Sequence, residues 1–405
     1  MPLVSPFTGL LFDEARAGSL ASVTAPPYDS ISAEQERRLH SANPHNVVRL
    51  ILGRDEPGDD DQRNKYTRAG RELRTWRRAG VLIPTETPSW FLYEMRFSFQ
   101  GRDRRIRGLI GEVEIEPFGG SILPHERTLP GPIEDRLSLL RAARANLSPV
   151  YALFGGPQPG LAALFDQAAA GEPHRGMTDD HGVEHRMWVI PAPSPSDGSL
   201  GSPQPDAGAP SWSSVPGWLA PEQLLIADGH HRYSVAQAFA EEMRREHGPG
   251  PWDRMMMLLV DAATEDPPVL PIHRVVLSGD APVEGRRVRD LAEVLAAVDD
   301  DALVYGSAAR EDGRLIHRVA ALEGWPPTVC ALHERVLGSA TLRFMPDAAA
   351  AEEAVHTGAA TSAFFLPPTR VERIRGVIRS GGTLPQKSTY FWPKPRTGMV
   401  IRPFD

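Results

Sequence analysis

Residues Asp228-Gly229-His230-His231-Arg232 set an acid, a glycine and three nitrogen-rich side chains in succession. They lie between an apolar run, Leu224-Leu225-Ile226-Ala227, and a stretch with helical spacing. A glycine leaving a buried strand permits a tight turn and lets a ligand approach the backbone closely. The first turn of the next helix offers N–H groups without intrahelical partners and the positive end of the dipole, which together suit an anion. His230, His231 and Arg232 add donors, and an arginine fork grips phosphate oxygens in pairs. The plainer alternative makes Asp228 a helix cap and the histidines exposed first-turn residues. Adjacent histidines diverge by roughly 100° around a helix and do not form the i, i+4 pair of a zinc helix, so no direct metal ligand is predicted.

Three further groups carry candidate chemistry. In Leu123-Pro124-His125-Glu126-Arg127-Thr128, a glutamate beside a histidine could accept a proton from a hydroxyl, or it could simply pair with Arg127. The second histidine of a zinc-protease HExxH is missing. Lys387-Ser388-Thr389-Tyr390 follows a double glycine and could bind a carboxylate or phosphate, or form an ordinary loop with a surface lysine. Tyr28, Asp29, Asn43, Asn46 and Arg49 could serve a ligand or act as turn and capping residues. Walker-type, dinucleotide-binding and nucleophile-elbow motifs are all absent, which removes the main support for P-loop, Rossmann and α/β-hydrolase readings.

The elements that must position these groups are legible in part. Ser32 with Gln35 reads as the capped start of a helix to His40, and residues 63–79 as a second helix with Tyr66, Ala69, Leu73 and Trp76 on its apolar face. Ser89 to Phe97 and Arg105 to Ile115 alternate as strands joined by the turn at 100–103, an antiparallel hairpin. Residues 134–145 read as a basic amphipathic helix carrying Arg136, Arg141 and Arg144. Leu224 to Ala227 lacks polar alternation, as a strand covered on both faces does. Val235, Phe239 and Met243 then recur at i, i+4, i+8, and Met255 to Val260 is a second covered strand. This reads as a β-turn-α-β unit with a parallel crossover. A helix at Val371 to Arg379 ends at Gly381-Gly382. The fold class is mixed α/β.

Residues 191–215, rich in Pro, Gly, Ser and Ala, read as a flexible loop or linker between an N-terminal part, 1–190, and a C-terminal part, 216–405, that share one active site. The chain has 405 residues, a net charge of −8, 36 glycines and 39 prolines, a composition of many turns and short elements. Mild acidity argues against wrapping nucleic acid. A single cysteine, Cys330, suits a reducing cytoplasm and excludes an internal disulfide. The apolar run at 255–260 is far short of the roughly 20 residues of a membrane span, and the first residues lack a secretory signal, so no membrane partner is expected.

The strand-DGxHRY-helix unit resembles the ParB/sulfiredoxin superfamily, whose members bind a nucleotide or phosphate at this turn. The chain also resembles the DUF1015 family nearly throughout, through APPYD, NPHNVVRL, ILPHERTLPGPIEDRL, RANLSP, IADGHHRY, LPIHR and PQKSTYFWPK in that order. The resemblance implies a ParB/sulfiredoxin-like core of mixed sheet and helices with large N- and C-terminal elaborations. Sulfiredoxins carry a reactive cysteine within this turn, where this chain has histidine. ParB clamps carry a helix-turn-helix after it, where this chain continues with a strand and an acidic, Pro-rich region. The remaining activity is phosphorylation of free L-serine by kinases that similarly pair a His-Glu turn with a DGxHRY turn. It implies ATP or ADP with Mg²⁺ as cofactors, Glu126 as base beside His125, and donor phosphates on Asp228 to Arg232. Arg136, Arg144, Lys387, Ser388 and Thr389 would bind the amino acid. A phosphoserine phosphatase and a nucleotide-sensing module without turnover are the alternatives.

Overall fold

The computed structural model describes residues 2–126, 130–193, 210–325 and 327–405. Two compact units emerge, interleaved along the chain. The first comprises Met1–Leu123, Thr128–Asp266 and Pro393–Asp405; the second comprises Pro124–Arg127 and Pro267–Trp392.

The first unit is built on a nine-stranded mixed sheet. Its order runs Ile122–Leu123, Leu224–Asp228, Val150–Phe154, Arg254–Asp261, Arg102–Glu114, Ser89–Phe99, Glu184–Pro191 and Arg175–Thr178, with Val4–Ser5 also paired to Arg102–Glu114. The expected hairpin is present: Phe91 pairs with Ile110 and Phe99 with Arg102. Its turn places Gln100 and Gly101 at φ of 52° and 72°, the left-handed pair that matches strand twist. The covered strands are buried along their length, with Leu224, Ile226, Met257 and Leu259 in one core with Val150, Ala152 and Phe154.

The parallel crossover expected around the Gly229 turn is not formed. Leu224–Asp228 runs antiparallel to Val150–Phe154, which runs parallel to Arg254–Asp261 and stands between the two. A strand covered on both faces shows the same apolar run in either direction, so the run sets burial and leaves polarity open. The division expected at 191–215 is also displaced. Strands from both sides of that stretch share this sheet, and residues 194–209 lie outside the described residues.

Helix His230–His247 packs Val235, Phe239 and Met243 with Leu137 of helix Pro130–Ala143, the stripe its spacing predicts. Helix Ala33–Ala42 begins at Ser32, whose hydroxyl accepts from the Gln35 N–H, and helix Lys65–Arg78 begins at an Asn64–Thr67 capping box. Among the described residues, no helix is long and apolar enough to cross a membrane.

The second unit holds a six-stranded antiparallel sheet in the order Arg286–Val288, Arg314–Ala321, Val304–Glu311, Ser362–Phe365, His273–Ser278 and Thr341–Met345. Alternation sends neighbouring residues to opposite cores. Val275 and Phe365 pack with Ala351 and Val355 of helix Ala348–His356, whereas Val276 and Phe364 pack with Val329 and Leu332. Helix Val371–Arg379 falls where its spacing predicts.

His273 is buried in this sheet and its Nδ1 accepts the Leu366 N–H at 3.2 Å. Burial, with the Arg274 guanidinium beside it, lowers its pKa from 6.5 to about 4. Between those values the unfolded chain takes up a proton that the folded chain refuses. Stability is therefore complete above pH 6.5 and falls as pH drops toward 4, by on the order of 3 kcal/mol for this group. Urea midpoints at pH 7 and 4.5 should show the loss, and His273→Gln, which keeps an acceptor for Leu366, should shrink it. An undiminished loss in the variant would remove this assignment.

Candidate functional site

Gly229 stands between the end of strand Leu224–Asp228 and the 18-residue helix His230–His247, with φ of 100°. Two constraints require glycine. The left-handed conformation is costly for residues with a side chain, and a Cβ would lie 3.1 Å from the Arg232 guanidinium. That guanidinium folds back under the turn. It donates to the Asp228 carboxylate, to the Pro149 carbonyl and, at 3.0 Å, to Ser148 Oγ. Tyr233, fully buried, donates to the Glu116 carbonyl at 2.8 Å and accepts the Glu116 N–H at 2.9 Å. The first helical turn is thus pinned on two sides. His230 is buried and His231 half-buried, so they are not the exposed residues of the plainer reading.

The second oxygen of Asp228 accepts from Lys394 Nζ, which also lies 3.8 Å from Asp29. With cations on both of its oxygens, Asp228 is an anchor for Arg232 and Lys394. Gly229, the N-cap residue, has no side chain with which to cap the helix. Lys394 lies in the segment that the PQKSTYFWPK match reaches with its last residue, and nothing local in the sequence marks it as a partner of Asp228.

Beside Arg232 a pocket with a cavity volume of about 70 Å³ opens to solvent, lined by Tyr28, Arg136, Asn146, Ser148 and Thr397 among others. The Arg136 guanidinium lies 4.4 Å from the Tyr28 ring centroid. Arg136 is spoken for: it is ion-paired with Asp135 and donates to the Ile51 carbonyl at 2.6 Å. Burial, with Asp29 next to it, raises the Tyr28 phenol pKa, and Arg232 and Arg136 pull the other way. Arg144 is exposed and packs its guanidinium 5.5 Å from the Phe239 ring centroid; it does not line the pocket. Asn43 and Asn46 form turns, accepting the N–H of His45 and Val48, and Arg49 donates to the His40 carbonyl.

In the second unit, His125 is fully buried, with Nε2 2.7 Å from Thr389 Oγ1. Glu126 receives the backbone N–H groups of Lys387, Ser388 and Thr389 at 2.9–3.1 Å, and the Thr389 hydroxyl at 3.2 Å. The loop expected to bind a carboxylate does bind one, and it is that of Glu126. Those donors face an internal partner, which corrects their expected role toward a substrate. Arg274 donates to the Lys387 carbonyl at 2.9 Å and, through Nε, to His333 at 2.9 Å, holding the loop from the other side. Arg127 lies outside the described residues. Cys330 is a free thiol whose pKa burial pushes up to about 11, the opposite of an activated cysteine. Among the described residues, no group of three or more metal-binding side chains is present.

The structure therefore defines a mixed α/β protein with a glycine-started helix whose first turn is held by Asp228, Arg232 and Lys394. The chain belongs to the family described as Protein of unknown function (DUF1015), whose model matches residues 4–311. Among curated proteins, no match was found. Solved structures similar to it include a free serine kinase in complex with AMP, at 13% identity and TM-score 0.35, covering 71% of this chain and 91% of that one. A conserved hypothetical protein from Pyrococcus furiosus is 12% identical at TM-score 0.34, covering 70% and 92%. SbnI with a C-terminal truncation, from Staphylococcus aureus, is 12% identical at TM-score 0.35, covering 71% and 85%.

The Asp228–Lys394 pair is testable as a coupling. Asp228→Asn and Lys394→Met should each destabilise the chain, and the double variant should lose less than their sum by about 1–3 kcal/mol in urea unfolding. Additive losses would show that the two side chains do not depend on each other.

Proposed function

We propose that the chain is a nucleotide-dependent phosphotransferase acting on the hydroxyl of a small amino acid, with free L-serine the first acceptor to try. The observation that carries this reading is the start of helix His230–His247: an 18-residue helix entered through a left-handed glycine that brings no side chain of its own to the N-cap, with Arg232 and Lys394 fixed beside it. Such an end attracts anionic oxygens through backbone N–H groups and the helix dipole. The resemblance to kinases with the same DGxHRY turn supports a nucleotide as the anion.

Phosphoryl transfer is mainly positioning and neutralisation of oxygen charge. In the proposed reaction the acceptor hydroxyl oxygen bonds to the terminal phosphorus while the bridging P–O bond breaks and the shortened nucleotide leaves. The first turn with His230, His231 and Arg232 holds the donor phosphates. The hydroxyl proton passes to a carboxylate, and Glu126 is the residue assigned to take it. Magnesium bound to the nucleotide phosphates would supply neutralisation of their charge; Asp228, with cations on both oxygens, does not fit as its ligand.

The test is incubation of purified full-length chain with serine, Mg²⁺ and ATP or ADP, with detection of O-phosphoserine. Product should form with at least one nucleotide, and Glu126→Gln should lower kcat by about 10²–10⁴ with little change in KM. Folded protein that gives no product with either nucleotide overturns the reading. A variant that keeps full activity overturns the assignment of Glu126 alone.

A further inference from the structure

The pocket beside Arg232 is chemically unlike the phosphate turn. Ile51, Leu139, Leu147, Val235 and Met255 give it apolar walls. Four neutral polar groups interrupt them: the Tyr28 phenol, the Asn146 amide, the Thr397 hydroxyl and the Ser148 hydroxyl, the last already accepting from Arg232.

Thr397 is 1% exposed, and its Oγ1 has no hydrogen-bond partner. Native structures rarely keep a buried hydroxyl in that state, and each case calls for an occupant or a reason. The side chain is held in place, because the Thr397 N–H and carbonyl both pair with Ala25, at 2.8 and 3.1 Å. Asn146 is similarly fixed: its Oδ1 accepts from the Met256 N–H at 3.1 Å and from Arg402 at 3.3 Å. Its amide nitrogen is left to donate.

The charges at the rim are matched internally, Arg136 with Asp135 and Arg232 with Asp228. A zwitterionic amino acid placed here would surrender water from two charges and meet no counter-charge. A flat neutral ring with apolar faces and a hydrogen-bonding edge suits both kinds of lining. Arg232 connects the two places, since it lines the pocket and packs under Gly229.

We infer that this pocket seats the base of the nucleotide, with its polar edge on Asn146, Thr397 and Tyr28 and its phosphates directed to the Gly229 turn. The assignment rests on the nucleotide reading above. It makes Thr397 and Tyr28 determinants of base binding.

The experiment compares the affinity of full-length chain for AMP, GMP, CMP and UMP with that for ribose 5-phosphate, which keeps the phosphate and lacks the base. At least one nucleotide should bind ten or more times tighter than ribose 5-phosphate. Thr397→Val, near-isosteric and free of the buried hydroxyl, should fold as well as the parent and reduce that preference about tenfold. Its affinity for ribose 5-phosphate should not change. Tyr28→Phe should act in the same direction. Equal binding of ribose 5-phosphate and every nucleotide overturns the inference, as does a preference that both variants leave intact; either result would leave the pocket to water. A chain that shows the preference but makes no phosphoserine sinks the transferase reading and keeps the pocket. A chain that makes phosphoserine with variant-insensitive binding does the reverse.

Discussion

Asp228 holds two cations drawn from different parts of the chain. Arg232 reaches it from one turn along the same helix, and Lys394 from a segment that returns to the first unit after the second has been completed. Removing its charge would leave two cations with half their compensation in a largely buried place, which costs more than the loss of one surface pair. The return segment is fastened elsewhere as well. Arg402 is buried against Glu112 and the Pro251 carbonyl, and the Arg396 N–H reaches the Tyr93 hydroxyl, itself 2.8 Å from His185. The geometry of the turn is thus conditional on chain closure between residues 166 apart. Closing so long a loop costs only slightly more entropy than closing a short one, because the cost grows with the logarithm of its length.

What could be read beforehand was local. The hairpin, the capped helices at Ser32 and Asn64 and the stripe of Val235, Phe239 and Met243 each follow from contacts within a few residues, where spacing and turn chemistry decide the outcome. The turn at Gly229 was legible for the same reason: an apolar run, a glycine and a helical period meet there. Lys394, Asn146 and Thr397 were not, because their roles come from pairing across long stretches of chain. The strand direction at 254–261 escaped because apolar runs have no polarity. The Pro- and Gly-rich stretch at 191–215 suggested a boundary, yet strands before and after it hydrogen-bond within one sheet.

Glu126 shows why a site of the second kind resists sequence reading. Three successive N–H groups at Lys387, Ser388 and Thr389 converge on its carboxylate, and Lys387 adopts φ of 53° to bring them round. Such a cradle is made of backbone, so side-chain identity says nothing about what fills it. Arg274, whose pKa burial lowers to about 10, completes the cage by holding the Gln386 and Lys387 carbonyls on the other side of the loop. A carboxylate so placed is held in one orientation by four hydrogen bonds.

The first unit offers two kinds of surface side by side. At the turn, Arg232 and Lys394 are opposed by Asp228 and Asp29, so the local charge is nearly balanced and the helix dipole supplies the excess that favours an anion. In the pocket the balance is closed and only neutral groups remain to be satisfied. A ligand that answers both must be anionic at one end and neutral, flat and hydrogen-bonding at the other. Inorganic phosphate would leave the Thr397 hydroxyl orphaned, and a free amino acid would strand its charges among leucines. The overall charge of −8 does not oppose such a ligand, because at physiological salt the field of distant carboxylates is screened beyond about 8 Å while the dipole acts at contact.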